Sequence, residues 1–536
     1  MTTDTCTGTH LNATVNGEET EQSGADAEGA SFVEYGIDDR PSLSKSTVLG
    51  LQHYLTMVGA NVAVPLILAE AMGMPDTVTA RFVGTFFVVS GIATLVQTTL
   101  GNRYPIVQGA PFSMLAPAIA IVTTVSVTGP EPAWQVRLQA LQGAIIVAGA
   151  VEVAIGYFGI VGKLRQYLSP VAIAPTIALI GLALFNVGQI TSATNDWWLL
   201  GLTLLLIVAF SQFLDRRHWA FRLFPVILGL AIAWAVAAAL SVGGIYPPDA
   251  PGYVDLGTVA EAPPLLPIYP LQWGMPTFQL SFAIGMFAGV VASIVESFGD
   301  YHAVARLVGS GAPSERRINH GIGTEGLMNV FSGLMGTGGS TSYSENIGAI
   351  GLTGVASRFV VQVGALAMLV VGFVGYAGQL VVTIPDPVVG GLFVVMFAQI
   401  VAVGLSNLAH VDMNSSRNVF VVGFALFVGL AIPEYVAAVG DMATFREGLA
   451  GVPVLGAVLG TQVVANTTYV IGSTGMAVGG LAAVVLDNAL PGTDEERGLA
   501  RWERRAESPT AFRPIWRNWF GGDADSSDAD SSDADR

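Results

Sequence analysis

Apolar windows of about twenty residues recur along almost the whole chain, each closed by a short polar or glycine- and proline-rich stretch. A helix of that length crosses a hydrocarbon core of roughly 30 Å. Window length and flanking polarity predict about fourteen spans, the first seven at 46–70, 81–100, 107–127, 138–160, 168–188, 196–214 and 221–242. The second seven are expected at 278–302, 318–337, 341–357, 359–380, 387–407, 416–432 and 453–487. Residues 243–277, rich in Pro and Gly, form the longest loop and divide the spans seven and seven. An odd repeat unit places its second copy upside down, so the pattern predicts an all-α polytopic membrane protein built as a 7+7 inverted repeat. The expected segments are a tail over 1–45, a first repeat over 46–242, an extracytoplasmic loop over 243–277, a second repeat over 278–490 and an acidic tail over 491–536.

Two spans start badly as helices. Span 3 opens with Gln108-Gly109-Ala110-Pro111-Phe112, and span 10 is led in by Gly338-Gly339-Ser340-Thr341-Ser342-Tyr343-Ser344-Glu345. Each is the third member of its half. Non-helical backbone at membrane depth survives only where protein or a watery cavity satisfies its polar groups, so the binding site is expected between these two spans.

Composition agrees with the pattern: 52% of residues are hydrophobic and only 12% charged, about half the charge of a soluble domain. The net charge of −17 and the lack of any basic groove exclude nucleic acid as a partner. Lys45 and Lys163 are the only lysines, and this acidic, lysine-poor balance suits a salt-rich habitat. The lone cysteine, Cys6, excludes a disulfide framework. Residues 1–45 lack an apolar signal core and read as a disordered tail rather than a cleaved targeting peptide, and the repetitive Asp523–Arg536 also reads as disordered. Basic residues favour cytoplasmic loops. With both termini inside, Arg103, Lys163, Arg165, Arg216, Arg217, Arg222, Arg316, Arg317, Arg358 and Arg417 fall on the cytoplasmic face, and only Arg81, Arg137 and Arg446 on the other.

Few ionisable groups lie inside the spans: Glu152, Glu296, Asp300, Glu325, Glu345 and His53. Each charge at mid-bilayer costs on the order of 2.5–3.5 kcal/mol and needs a reason. Glu296 and Asp300, four apart, share a face of span 8. Two carboxylates so close in a low dielectric should not both be ionised, which suits a proton-coupled carrier. Asp300, Glu296, Glu345 and His53 are the coupling candidates, with His53 equally readable as a packing histidine. Glu152 and Glu325 are expected to pair structurally with a neighbouring helix, and Asp487-Asn488 to end span 14 at the interface.

Glu345-Asn346-Ile347-Gly348-Ala349-Ile350-Gly351-Leu352-Thr353 resembles the signature of the nucleobase–ascorbate transporter family, the xanthine/uracil permeases. Four further stretches agree in order: Leu51-Gln52-His53, Gly109 to Pro117, Glu296-Ser297-Phe298-Gly299-Asp300-Tyr301, and Leu486-Asp487-Asn488 with Pro491-Gly492-Thr493 and Glu495-Glu496-Arg497-Gly498. The resemblance implies a core domain of spans 1–4 and 8–11, a gate domain of spans 5–7 and 12–14, short antiparallel strands in spans 3 and 10, a homodimer and an elevator motion. It implies that Glu296 and Glu345 grip opposite edges of a base, that backbone groups of Phe112 and Ser344 complete the contacts, and that Asn346 holds the strand ends. Uracil-type members usually have His where Asp300 stands, and purine-type members Gln where Glu345 stands. The implied cargo is therefore a nucleobase of the uracil or xanthine class, carried across the plasma membrane with H⁺ or Na⁺ and without an organic cofactor or bound metal. An ascorbate carrier, which typically has Pro at the Glu345 position, and an anion exchanger of the same architecture are the rivals within transport. A membrane enzyme finds no support: there is no Gly-x4-Gly-Lys loop, no histidine pair at metal spacing and no Gly-x-Ser-x-Gly elbow.

Overall fold

The computed structural model describes residues 33–127, 129–161, 167–192 and 196–499. Cys6, Lys163, Arg165 and Asp523–Arg536 lie outside the described residues. The first half contains α1 (Leu43–Met72), α2 (Asp76–Thr99), β1 (Gln108–Gly109), α3 (Leu115–Thr124) and α4 (Ala133–Tyr157). It continues with α5 (Pro170–Leu182), α6 (Trp197–Val208, extended by a π turn over Ala209–Phe213) and α7 (Pro225–Val242). The second half contains α8 (Leu280–Leu307), α9 (Glu315–Met335), β2 (Thr341–Ser342), α10 (Ser344–Thr353), α11 (Arg358–Phe373), α12 (Asp386–Ser406) and α13 (Ser416–Val439). It ends with α14 (Gln462–Gly472) and α15 (Gly475–Ala489), which meet at a bend of 92°.

Local chemistry sets the ends. Gly73 (φ 73°) and Gly336 (φ 79°) close α1 and α9 in the left-handed region that favours glycine, and their amides bond back to the last carbonyls. Before β2, Gly339 at φ 110° turns the chain where any side chain would be strained. The strands pair antiparallel, Gln108 with Ser342 and Gly109 with Thr341.

Two bundles result. In one, α4 packs on α9 and α8, and α11 on α2 and α1; in the other, α5 packs on α12, α13 and α15, and α6 on α7 and α12. Small residues let the backbones approach. At the α4–α9 crossing a Cβ on Gly326 would sit 2.5 Å from the Val153 amide nitrogen, and one on Gly149 would sit 2.9 Å from Asn329.

The count of continuous spans differs from expectation. Among the described residues seven helices are long and apolar enough to cross a membrane, or eight if α14 and α15 form one span. The ten-residue helices α3 and α10 reach only about 15 Å. The span expected at 359–380 breaks at Val374, and Gly375–Val382 forms a separate helix. The 21-residue α9 is long enough but polar, because Arg317, His320, Glu325 and Asn329 are buried against protein.

The expected disorder of the tail over 1–45 also needs correction. Residues 34–40 lie along the α10–α11 junction: the Glu34 and Tyr35 amides donate to Gly354 O (2.7 and 3.1 Å), and the Ala356 amide donates to Tyr35 O (2.8 Å). Arg358 adds an ion pair to Asp38 (2.6 Å). Past α15, Arg497 returns to buried Asp487 (2.8 Å), which also pairs with Arg417 (2.9 Å) and accepts from Ser169 (2.7 Å). Backbone hydrogen bonds and ion pairs that sequence spacing does not reveal order both stretches. The 243–277 loop is likewise fixed: Trp273 is buried beneath Arg81, against Phe82 and Trp134.

Gly326→Val should lower stability by roughly 1–3 kcal/mol through overpacking of the α4–α9 crossing. Gly423→Ala, with nothing within 4 Å of its added Cβ, should be close to neutral. Thermal unfolding of the purified variants reads both.

Candidate functional site

The strand pair leaves backbone groups that no helix satisfies, and side chains from four helices take them up. From α2, Thr94 accepts from the Gln108 amide (2.9 Å) and donates to its carbonyl (3.2 Å). Asn61 Oδ1 on α1 accepts from the Ala110 amide (3.0 Å) and from Ser90 (3.1 Å). Asn346 Oδ1 on α10 accepts from the Val107 amide (3.0 Å), and Asn329 Oδ1 on α9 accepts from the Ser340 amide (2.7 Å). Tyr343 closes the joint, its amide donating to Val107 O (3.1 Å) and its hydroxyl to Ala110 O (2.7 Å).

His53 sits within this frame. Asn346 Nδ2 donates to His53 Nδ1 (2.7 Å), and the ring also bonds the backbone of Val355. The buried ring thus braces Asn346 against the end of α10.

Hydroxyl groups surround two of the carboxylates. Asp300, 5% exposed, accepts from Ser342 and Ser344, each at 2.6 Å. Glu325 is fully buried and accepts from Ser293 (2.7 Å), Ser297 (2.6 Å) and Thr341 (3.0 Å), with the Tyr301 hydroxyl at 3.5 Å. Glu152 Oε2 accepts from Asn329 (2.7 Å) across the α4–α9 crossing, the kind of neighbouring-helix pairing expected of it, while its Oε1 is buried without a hydrogen-bond partner among the described residues.

Glu296 also has an open oxygen, and it stands among the other carboxylates of the strand pair. It lies on α8 one turn before Asp300, within electrostatic range of Asp300, Glu345 and Glu325. Its Oε2 is buried and has no hydrogen-bond partner among the described residues. Glu345, half-buried, occupies the first turn of α10 beside that helix's free amides. Phe112 packs its ring edge-on to Phe397 of α12 (5.9 Å), and its carbonyl already accepts from the Leu115 amide (3.1 Å). The Ser344 hydroxyl is spent on Asp300. The arrangement therefore offers acceptors at Glu296 and Glu345 beside the starts of α3 and α10.

Sequence reasoning missed Asn61, Thr94, Asn329, Ser293, Ser297 and Tyr301 as parts of the site. The last three recur every fourth residue on the otherwise apolar α8, a polar stripe that periodicity could have exposed.

The permease family model matches residues 44–437. Human solute carrier family 23 member 2 is 40% identical over 513 residues, covering 88% of this chain and 76% of that protein. Nucleobase-ascorbate transporter 12 of Arabidopsis thaliana is 34% identical over 523 residues, covering 90% and 73%. Among solved structures, the transmembrane domain of the cyanobacterium bicarbonate transporter BicA has a TM-score of 0.51 at 17% identity, covering 76% of this chain and 100% of that one. SLC26A9 has a TM-score of 0.53 at 15% identity, covering 72% and 62%. At such identities the likeness is one of fold. The family match and the relatives agree with the apolar helices and the signature at Glu345–Thr353: the chain is a multi-pass membrane protein that belongs to the permease family of xanthine/uracil permeases and nucleobase–ascorbate transporters.

Proposed function

We propose that this transporter is a secondary carrier that imports a nucleobase of the uracil or xanthine class across the cell membrane with a coupling cation, H⁺ in the first instance. The observation that carries the reading is the unpartnered, buried Oε2 of Glu296, beside an Asp300 that holds two hydroxyl donors. A buried acceptor without a donor is costly, and a ring N–H of the substrate supplies one. Glu345 takes the opposite edge of the base, with backbone groups beside Phe112 and Ser344 completing the contacts and Asn346 keeping the strands in register. Matched donors and acceptors of this kind reject analogues that lack them by large factors.

The reading extends to the whole molecule. The helices α1–α13 and the bent α14–α15 pair make fourteen membrane elements in a 7+7 inverted repeat. Matched packing supports it: raising or lowering each helix number by seven turns the α1–α11 contact into α8–α4, α2–α11 into α9–α4, and α3–α8 into α10–α1. The bundle of α1–α4 and α8–α11 carries the substrate, and the other bundle is the gate and the homodimer interface. Both termini face the cytoplasm. Arg317 and Arg358 meet the Asn102 and Thr98 carbonyls at the end that also holds Arg103, opposite the Arg81 and Arg137 end. Ascorbate is the second reading, favoured by the names of the plant relatives; Glu345, an acceptor facing an anion, weighs against it.

Labelled uracil should enter cells or vesicles saturably, with xanthine, hypoxanthine and urate competing in graded order and ascorbate competing poorly; strong ascorbate competition with no base effect would reverse the substrate assignment. Glu296→Gln should reduce uptake at least a hundredfold while the protein still folds, and near-normal uptake would remove Glu296 from the site. An inward proton gradient should drive accumulation. One charge across about 100 mV contributes about 2.3 kcal/mol, which is roughly 50-fold. Accumulation that follows a Na⁺ gradient instead assigns Na⁺ as the coupling ion, and indifference to both gradients refutes symport.

A further inference from the structure

A cavity of about 480 Å³ lies away from the carboxylates, at the seam between the two bundles. One wall is α1 and α3; the other is α13, α14 and the stretch after α5. Its inner end reaches Ala116, one turn beyond Phe112, and Ser473, at the bend between α14 and α15. Its other end reaches Thr123 and Glu70, at the α3 and α1 termini on the face opposite the one bearing Arg103, Arg317 and Arg358.

Its volume falls within the roughly 300–1,000 Å³ typical of small-molecule sites, and its lining is specific in charge. About half of the walls are Ala, Ile, Leu and Val; the polar lining is the carboxylates of Glu70 and Glu434, the amides of Gln189 and Asn186, and the hydroxyls of Thr123, Tyr469 and Ser473. Among the described residues no Lys, Arg or His lines it. Glu70 is fixed in place: its Oε2 accepts from Gln189 Nε2, and a Cβ on Gly188 would come within 3.0 Å of Oε1. Asp386 adds further negative charge beside Glu70. Such a cavity accepts hydrogen bonds from N–H groups, covers flat apolar faces and repels anions.

We propose that this cavity is an outer loading site, where a neutral N–H-bearing heterocycle is held and anions are rejected before the substrate passes Ala116 and Phe112 to Glu296. The inference rests on the nucleobase reading and adds a second place of contact and of selection. Glu70 and Glu434 accept from the ring N–H groups, and Gln189 positions Glu70.

Cys6 is the only cysteine, so a Cys6→Ser background permits a clean accessibility test. Ala120→Cys, on the α3 wall, should react with an impermeant thiol reagent added from outside, and that reaction should stop uptake. Unlabelled uracil or xanthine should slow the reaction about tenfold, and ascorbate should not. The protection should persist in Glu296→Gln, whose inner site is disabled, and should fall to about twofold or less in Glu70→Gln and Glu434→Gln. Protection that disappears in Glu296→Gln overturns the loading site, because the cysteine would then be sensing the inner site alone. Equal protection by ascorbate, or no reaction from outside, overturns it as well. Uptake by the unmodified chain is measured separately: intact uptake without protection removes only the loading site, whereas protection without uptake of any base removes only the transport reading.

Discussion

A peptide group at membrane depth cannot be left bare, and this fold breaks two helices there. An unsatisfied amide or carbonyl in hydrocarbon costs several kcal/mol, so β1 and β2 exist only because other groups complete them. The two-residue ladder supplies part of what is needed. The rest comes from Thr94, Asn61, Asn346 and Asn329, on four separate helices. Each helix of the first bundle that touches the strands is therefore keyed to them by a directional bond, and those bonds fix where α3 and α10 begin. A rigid platform follows from satisfying the backbone, before any substrate is considered.

The carboxylates divide on the same principle. Glu325 accepts from hydroxyl donors and Asp300 from two, while Glu152 is engaged by Asn329 on one oxygen and keeps Oε1 without a partner among the described residues. These groups stitch α8, α9, α4 and β2 together. Glu296 stands on the same helix with an oxygen left over. Hydrogen bonds to charged groups contribute about 1.5–3 kcal/mol each, so removing a partner from a filled carboxylate damages the frame, whereas an open one can be completed by a ligand and released again. On the proposed reading, Glu296 is the open group that a ligand completes.

Much of this was legible in the chain. Gly338-Gly339-Ser340 and Gln108-Gly109-Ala110-Pro111 announced broken helices, and the signature from Glu345 pointed to the family. The i, i+4 spacing of Glu296 and Asp300 placed both on one face of α8. The partners were not legible. Tyr343 and Ala110 are 233 positions apart, and Asn346 and His53 are 293 apart, so local pattern carries no trace of either bond. Hydropathy alone undervalues α9, although window length placed a span at 318–337. Its polar residues are turned inward to other helices, so it is buried in protein and is less apolar than the other long helices. The strap over 34–40 escaped for a related reason: its bonds are made by backbone groups, which every sequence possesses.

The fold by itself does not choose the cargo. The bicarbonate transporter BicA and SLC26A9 share its architecture at 17% and 15% identity. Two short helices that begin beside the paired strands point the positive ends of their dipoles there, each equivalent to roughly half an elementary charge. Left alone, that geometry attracts an anion. Here Glu345 occupies the first turn of α10, and Glu296 stands on α8 within electrostatic range of it. On the proposed reading these carboxylates offset the positive helix ends, which disfavours an anion and suits a neutral molecule that donates hydrogen bonds. Acidic side chains recur at the outer cavity, where Glu70 and Glu434 appear and, among the described residues, no basic side chain does. Selectivity within a shared fold can thus be set by a few acidic residues placed where helix ends would otherwise hold an anion.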